Sequence, residues 1–192
     1  EQALKYNRRH WRIWQNCIRF SISTGNFYKA INCARELLRN DQFEGLDAGI
    51  LLKICEIFLT KLTMQAGLER AEADRHKAHL HRFFKDWTNC LNDYKVWRLY
   101  ARVRQQLEEP LTEVKECKMS EIRALQKVGW QVDLDQCKLV ERAVCELVNL
   151  ASENGQDLTK EEKAFVRVTV LAIEEGLQRK CKIEDLVERL SQ

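Results

Sequence analysis

The chain has 192 residues, 45% of them apolar, with 32 Lys and Arg against 29 Asp and Glu and a formal net charge of +3. That near balance excludes a general affinity for nucleic acid or membrane surfaces driven by charge alone, and the apolar share excludes a disordered polar tail. One proline, Pro110, and seven glycines are too few for the turns of an all-β fold, so helices joined by short turns remain.

Read in chain order, residues 8–23 carry Trp11, Trp14, Ile18 and Ile22 at helical spacing. The segment Thr24-Gly25-Asn26 predicts a turn whose asparagine caps the next helix, with the stripe Phe27, Ile31, Ala34 and Leu38. So short a turn makes the two helices antiparallel neighbours. Residues 41–47 read as a loop. From Asp47 to Met64 the helix is apolar on most sides (Ile50, Leu51, Ile54, Cys55, Ile57, Phe58, Leu62), with a polar strip of Lys53, Glu56, Thr60 and Thr63. A helix of that kind is expected to be sandwiched between neighbours.

Residues 69–91 show a narrow stripe of Leu80, Phe84, Trp87 and Leu91 on a charged helix. Asn92-Asp93 is a capping pair for a helix with Val96, Trp97, Tyr100, Ala101 and Val103, broken at Glu109-Pro110. Residues 111–128 form a weaker amphipathic helix with Val114, Cys117, Ile122 and Leu125, ended by Gly129. Asp133 opens a long helix with Cys137, Val140, Val144, Leu147 and Ala151 in line, stopped by Asn154-Gly155. Thr159 and Glu162 make a capping box before Val166, Val170, Ile173 and Leu177. Ile183, Leu186, Val187 and Leu190 give a short last helix. The expectation is an all-α chain of about nine helices.

No apolar run approaches bilayer-spanning length. The chain starts at Glu1 and not at a methionine, and is expected to be a piece of a longer protein. None of its eight cysteines forms a CxxC knuckle, and most lie among apolar residues, where a thiol acts as a small hydrophobe. They are expected to be reduced, in the cytoplasm with a nuclear location also open.

Trp14, Gly25, Phe27 and Ala30 fall together at the spacings of a tetratricopeptide repeat, whose period is about 34 residues. Trp14 would fill the gap between the paired helices, Gly25 would make the turn, Phe27 would close the pair and Ala30 would let the helices approach. Ala3-Leu4-Lys5 stands where the preceding repeat's second helix would end. Val96-Trp97-Arg98-Leu99-Tyr100-Ala101 matches the start of another first helix. The domain reading is one continuous helical-repeat domain over 1–192. Within it, 1–7 is the tail of a preceding repeat, 8–40 the best-matching repeat, 41–128 divergent helix pairs and 129–192 C-terminal helices.

The run His10-Trp11-Arg12-Ile13-Trp14-Gln15-Asn16, followed by Ser23-Thr24-Gly25-Asn26-Phe27-Tyr28-Lys29-Ala30-Ile31 and by Val96 to Ala101, resembles the C-terminal part of the tetratricopeptide repeat protein 27 family. The resemblance is strong at 1–40 and 92–104 and loose from 111 onward; 64–92 departs in sequence. It implies a tetratricopeptide-like α-solenoid of antiparallel helix pairs. It also implies a non-catalytic scaffold or adaptor acting in chaperone-assisted assembly of large complexes such as spliceosomal ribonucleoproteins. The partners it implies are other proteins, chaperone-linked assembly factors among them.

Catalytic chemistry finds no support in the residues. There is no glycine-rich elbow, phosphate loop or strand to mount a nucleophile. His76 and His79 share a helix face while His81 points away, so the histidines are not expected to hold a metal, and no cofactor is expected. Arg8, Arg9, Arg12 and Arg19 interleave with Trp11, Trp14 and Phe20, a pattern that also suits single-stranded RNA, so an RNA-processing repeat protein touching RNA directly is the alternative. In tetratricopeptide repeats fixed positions of each first helix line a concave groove. Counted from Trp14 these are Arg12, Gln15 and Arg19; counted from Trp97 they are Lys95, Arg98 and Arg102. If both sets face one groove, it should be positive and suited to acidic peptide segments.

Overall fold

The computed structural model describes residues 10–39, 49–50, 53–56, 70–90, 92–127 and 129–177. Among them the chain is all-helical, without a strand. It divides into two compact units, Glu1–Asn92 and Asp93–Gln192. The expected tail at 1–7, the loop at 41–47 and the last helix at 183–190 lie outside the described residues.

In the first unit, α1 (Trp11–Ser23) and α2 (Phe27–Arg39) pack as a hairpin around residues 24–26. Gly25 takes the left-handed φ of +64, and the Asn26 N–H donates to the Ser21 carbonyl at 2.7 Å, closing the end of α1. The Asn26 carbonyl oxygen of the side chain accepts from the Lys29 N–H at 3.2 Å and caps α2 as expected. Trp14, Ile18, Phe27, Ala30, Ile31 and Ala34 are all buried. Helix α3 (Arg70–Cys90) packs on α2, with Leu80, Phe83, Phe84 and Trp87 fully or almost fully buried, and Arg35 of α2 pairs with Asp86 of α3 at 2.9 Å. Within the expected apolar helix at 47–64, Ile50, Ile54 and Cys55 are buried and Lys53 and Glu56 exposed; Phe58 lies outside the described residues.

The second unit holds α4 (Tyr94–Gln106), α5 (Leu111–Leu125), a single 3-10 turn (Trp130–Val132), α6 (Leu134–Glu153) and α7 (Lys160–Leu177). Asp93 caps α4 by accepting from the Lys95 N–H at 2.9 Å, and Asp133 caps α6 by accepting from the Asp135 and Gln136 N–H groups. Thr159 and Glu162 form the reciprocal capping box of α7: each backbone N–H donates to the other's side chain, at 2.8 and 3.2 Å. Helix α5 ends at Leu125, short of the expected 128. Gln126 leaves the helix, its Nε2 donates to Thr169 Oγ1 at 3.2 Å, and Gly129 at φ +79 turns the chain into the 3-10 turn that buries Trp130. Successive helices pack in order, α4 on α5, α5 on α6 and α6 on α7. Their core runs through Ile122, Leu125, Val140, Val144, Leu147, Val148, Val166 and Ile173. Each such side chain contributes about 1.5–3 kcal/mol by leaving water.

Candidate functional site

Helix α5 is weakly amphipathic because its buried face is partly ionic. Lys115, Lys118 and Glu121 are buried along with Val114, Cys117, Ile122 and Leu125. Burial of a charge is costly unless it is paired, and each of these is. Lys115 Nζ donates to Glu162 of α7 at 2.9 Å. Glu121, with a wholly buried carboxylate, accepts from Arg98 Nε of α4 at 2.6 Å and from Lys118 Nζ at 3.2 Å. Lys118 also donates to Glu146 of α6 at 2.6 Å, and Glu146 accepts from Arg142 Nε at 3.1 Å. The result is a chain of alternating charge, Arg98–Glu121–Lys118–Glu146–Arg142, that crosses three helices.

Arg98, Lys118, Glu146 and Arg142 of this chain line a cavity of about 450 Å³. Arg98, Arg102 and Gln105 come from α4 and Lys118 from α5. Arg142, Glu146, Asn149, Leu150 and Glu153 come from α6. Four cations and two carboxylates line the cavity, and the buried Glu121 behind them is the counter-charge of Arg98 and Lys118, which leaves one positive charge over. Burial alone would push the Glu146 carboxyl up. The hydrogen bond and charge of Lys118, with Arg142 and Arg98 behind them, outweigh it and hold Glu146 below its ordinary value of 4.5. Arg102 of α4 and Arg142 of α6 are the exposed cations of the lining, Arg142 also pairing with Glu146.

Of the residues expected from sequence, the structure brings Arg98 and Arg102 together in this cavity. Lys95 is exposed, lies over the Tyr94 ring at 5.9 Å from its centroid, and is not part of the lining. Arg98 is half tied down: its guanidinium pairs with Glu121 and sits 5.6 Å from the Tyr94 centroid. Arg12, Gln15 and Arg19 belong to the first unit. Arg12 is exposed beside Trp11, its guanidinium 5.4 Å from that ring; Arg19 is exposed and Gln15 half-buried. Lys118, Arg142 and Asn149 were not expected. The signal for Lys118 is its place on the apolar stripe of α5 with Glu121 at i+3, the spacing of an ion pair on one helix face. Nothing in a single sequence places Arg142 in one cavity with Arg98 and Arg102, because that arrangement is made by the packing of α6 on α5.

His76 is buried and His79 half-buried, both edge-on to the Tyr28 ring at 4.8 and 5.4 Å. Among the described residues no three His, Cys, Asp or Glu side chains converge on a possible metal position, and no helix is long and apolar enough to cross a membrane. Comparison with protein-family models, with curated proteins and with solved structures found no match.

Proposed function

We propose that the chain is a non-catalytic interaction scaffold, a tetratricopeptide-like α-solenoid that takes an acidic protein segment into the cationic cavity of its second unit. The observation that carries this reading is the gathering of Arg98, Arg102, Lys118 and Arg142 around one 450 Å³ space from three successive helices. The exposed Arg102 and Arg142 and the buried Lys118 supply charge, while Gln105 and Asn149 offer neutral hydrogen bonds to a peptide backbone. The resemblance to the tetratricopeptide repeat protein 27 family supports the class: an adaptor in chaperone-assisted complex assembly, working in the cytoplasm, with no cofactor of its own. The buried Trp14, Phe27 and Ala30 and the left-handed Gly25 support the repeat reading of α1 and α2.

The test is a titration of the full chain with a labelled Asp/Glu-rich peptide. Arg102→Glu with Arg142→Glu should weaken binding at least tenfold, about 1.4 kcal/mol, with the helical signal unchanged. Binding should also weaken as salt rises, since both residues are exposed. Equal affinity of the wild type and the double variant would rule the reading out.

Direct contact with RNA is the second reading, and one observation favours it. Phe20, 65% exposed, stands beside the exposed Arg19 on α1 and offers a face for base stacking. Binding of a single-stranded oligouridylate, lost in Phe20→Ala with Arg19→Glu, would support it. No binding by the wild type would remove it.

A further inference from the structure

Helix α1 carries Cys17 and helix α2 carries Cys33, and the hairpin between them sets the two sulfurs 3.1 Å apart, with the Cys33 S–H donating to Cys17 Sγ. That contact is a consequence of the packing of α1 on α2. Cys17 lies one turn after Trp14 on α1, and Cys33 lies two positions after Ile31 in the buried stripe of α2. The other described thiols lie elsewhere. Cys55, Cys117 and Cys137 are buried, Cys145 is half-buried and Cys90 is exposed at the end of α3. All seven described cysteines are free thiols.

We propose that Cys17 and Cys33 are a modification site: a thiol pair that is converted to an intramolecular disulfide by a low-molecular-weight disulfide such as glutathione disulfide. Closing the bond needs the sulfurs to approach from 3.1 Å to about 2.05 Å, so each moves by only about half an ångström. The pair divides the work by exposure. Cys17 is half-buried and reachable from solvent; Cys33 is buried. Burial first, and then the neighbouring Cys17 sulfur, pushes the Cys33 thiol up to about 12, so Cys33 holds its proton at neutral pH.

The order of events follows. Cys17, its proton released to solvent, attacks one sulfur of glutathione disulfide and expels a glutathione thiolate, giving a Cys17–glutathione mixed disulfide. Cys33 then loses its proton and, as the thiolate, attacks the Cys17 sulfur, a step that quickens as pH rises. The Cys17–glutathione bond breaks, and the second glutathione leaves as a thiolate that takes up a proton from solvent. Two protein thiols are oxidised to one disulfide and one glutathione disulfide is reduced to two glutathiones. The product ties α1 to α2 across the Gly25 turn and fixes that hairpin covalently.

The test is equilibration of the full chain in mixtures of glutathione and glutathione disulfide, acid quenching, alkylation and peptide mass mapping. The expected result is a Cys17–Cys33 disulfide as the main intramolecular product, with Cys55, Cys117 and Cys137 alkylated as thiols. Cys33→Ser should accumulate a stable glutathione adduct on Cys17, because the second step is missing. Cys17→Ser should leave Cys33 largely unmodified, because the first step is missing, while exposed Cys90 takes up glutathione in every variant as the control. Full alkylation of Cys17 and Cys33 in the wild type under conditions that load Cys90 would overturn the proposal. So would Cys17 bridged to any cysteine other than Cys33.

Discussion

At the residue scale, two backbone positions and one carboxylate carry consequences that can be measured. Gly176 lies in the last turn of α7 against the 3-10 turn. A Cβ added there would overlap the Gln131 carbonyl oxygen and stand 2.9 Å from Cys137 Sγ. Backbone cannot step aside as a side chain can, so Gly176→Ala should destabilise the second unit by about 1–3 kcal/mol, read from denaturant midpoints. Glu108 is the reverse case. It holds a left-handed φ of 53 after α4, and the Glu109 N–H donates to the Arg104 carbonyl at 3.1 Å, the closure a glycine usually makes. Glu108→Gly should stabilise the chain by about 0.5–1 kcal/mol; a loss of stability would show that the Glu108 side chain does something the φ angle does not reveal. Glu121 is the wholly buried carboxylate between Arg98 and Lys118. Glu121→Gln leaves those two cations without their shared counter-charge and should destabilise by about 3 kcal/mol or more, measured by thermal or urea unfolding.

At the scale of elements, what could be read in advance was what local chemistry decides. Asn26, Asp93, Asp133 and the Thr159–Glu162 pair cap helices as their spacing indicates, because a cap needs only residues within one turn. The apolar stripe of α6 is buried as the 3.6-residue period indicates, from Cys137 through Ala151. Helix α5 was legible only in part. Its 3.6-residue period marks Val114, Cys117, Ile122 and Leu125 as the packed face, but Lys115, Lys118 and Glu121 are buried beside them. Charged residues read as solvated until their partners are known, and the partners sit on other helices: Glu162 on α7, Arg98 on α4 and Glu146 on α6. The candidate site was half legible for the same reason. Arg98 and Arg102 are among the residues that the sequence spacing singles out, while Arg142 and Asn149 enter the cavity through the packing of α6 on α5.

At the scale of the whole molecule, the helical class followed from the scarcity of turn residues and the 3.6-residue period, which act along the full chain. The division at Asn92-Asp93 falls on a pair read from sequence as a helix cap and not as a boundary. The ion chain across α4, α5 and α6 links stability to pH with a definite sign. Glu146 is held below 4.5 in the folded chain, so its contribution is present above that value and is lost as pH falls through the folded one. The melting temperature should therefore drop more steeply below pH 4.5 in the wild type than in Glu146→Gln, checked by thermal scans across that range. The most direct measurement of the central claim is photocrosslinking. An Asp/Glu-rich peptide bearing a photoreactive group would be crosslinked to the full chain, and the attached sites mapped by mass spectrometry. The expected result is labelling concentrated on Tyr94–Gln106 and Leu134–Glu153, the helices that flank the cavity, and its loss in Arg102→Glu with Arg142→Glu. Labelling confined to the first unit, or spread evenly over all helices and indifferent to those two substitutions, would contradict a partner site built from this cavity.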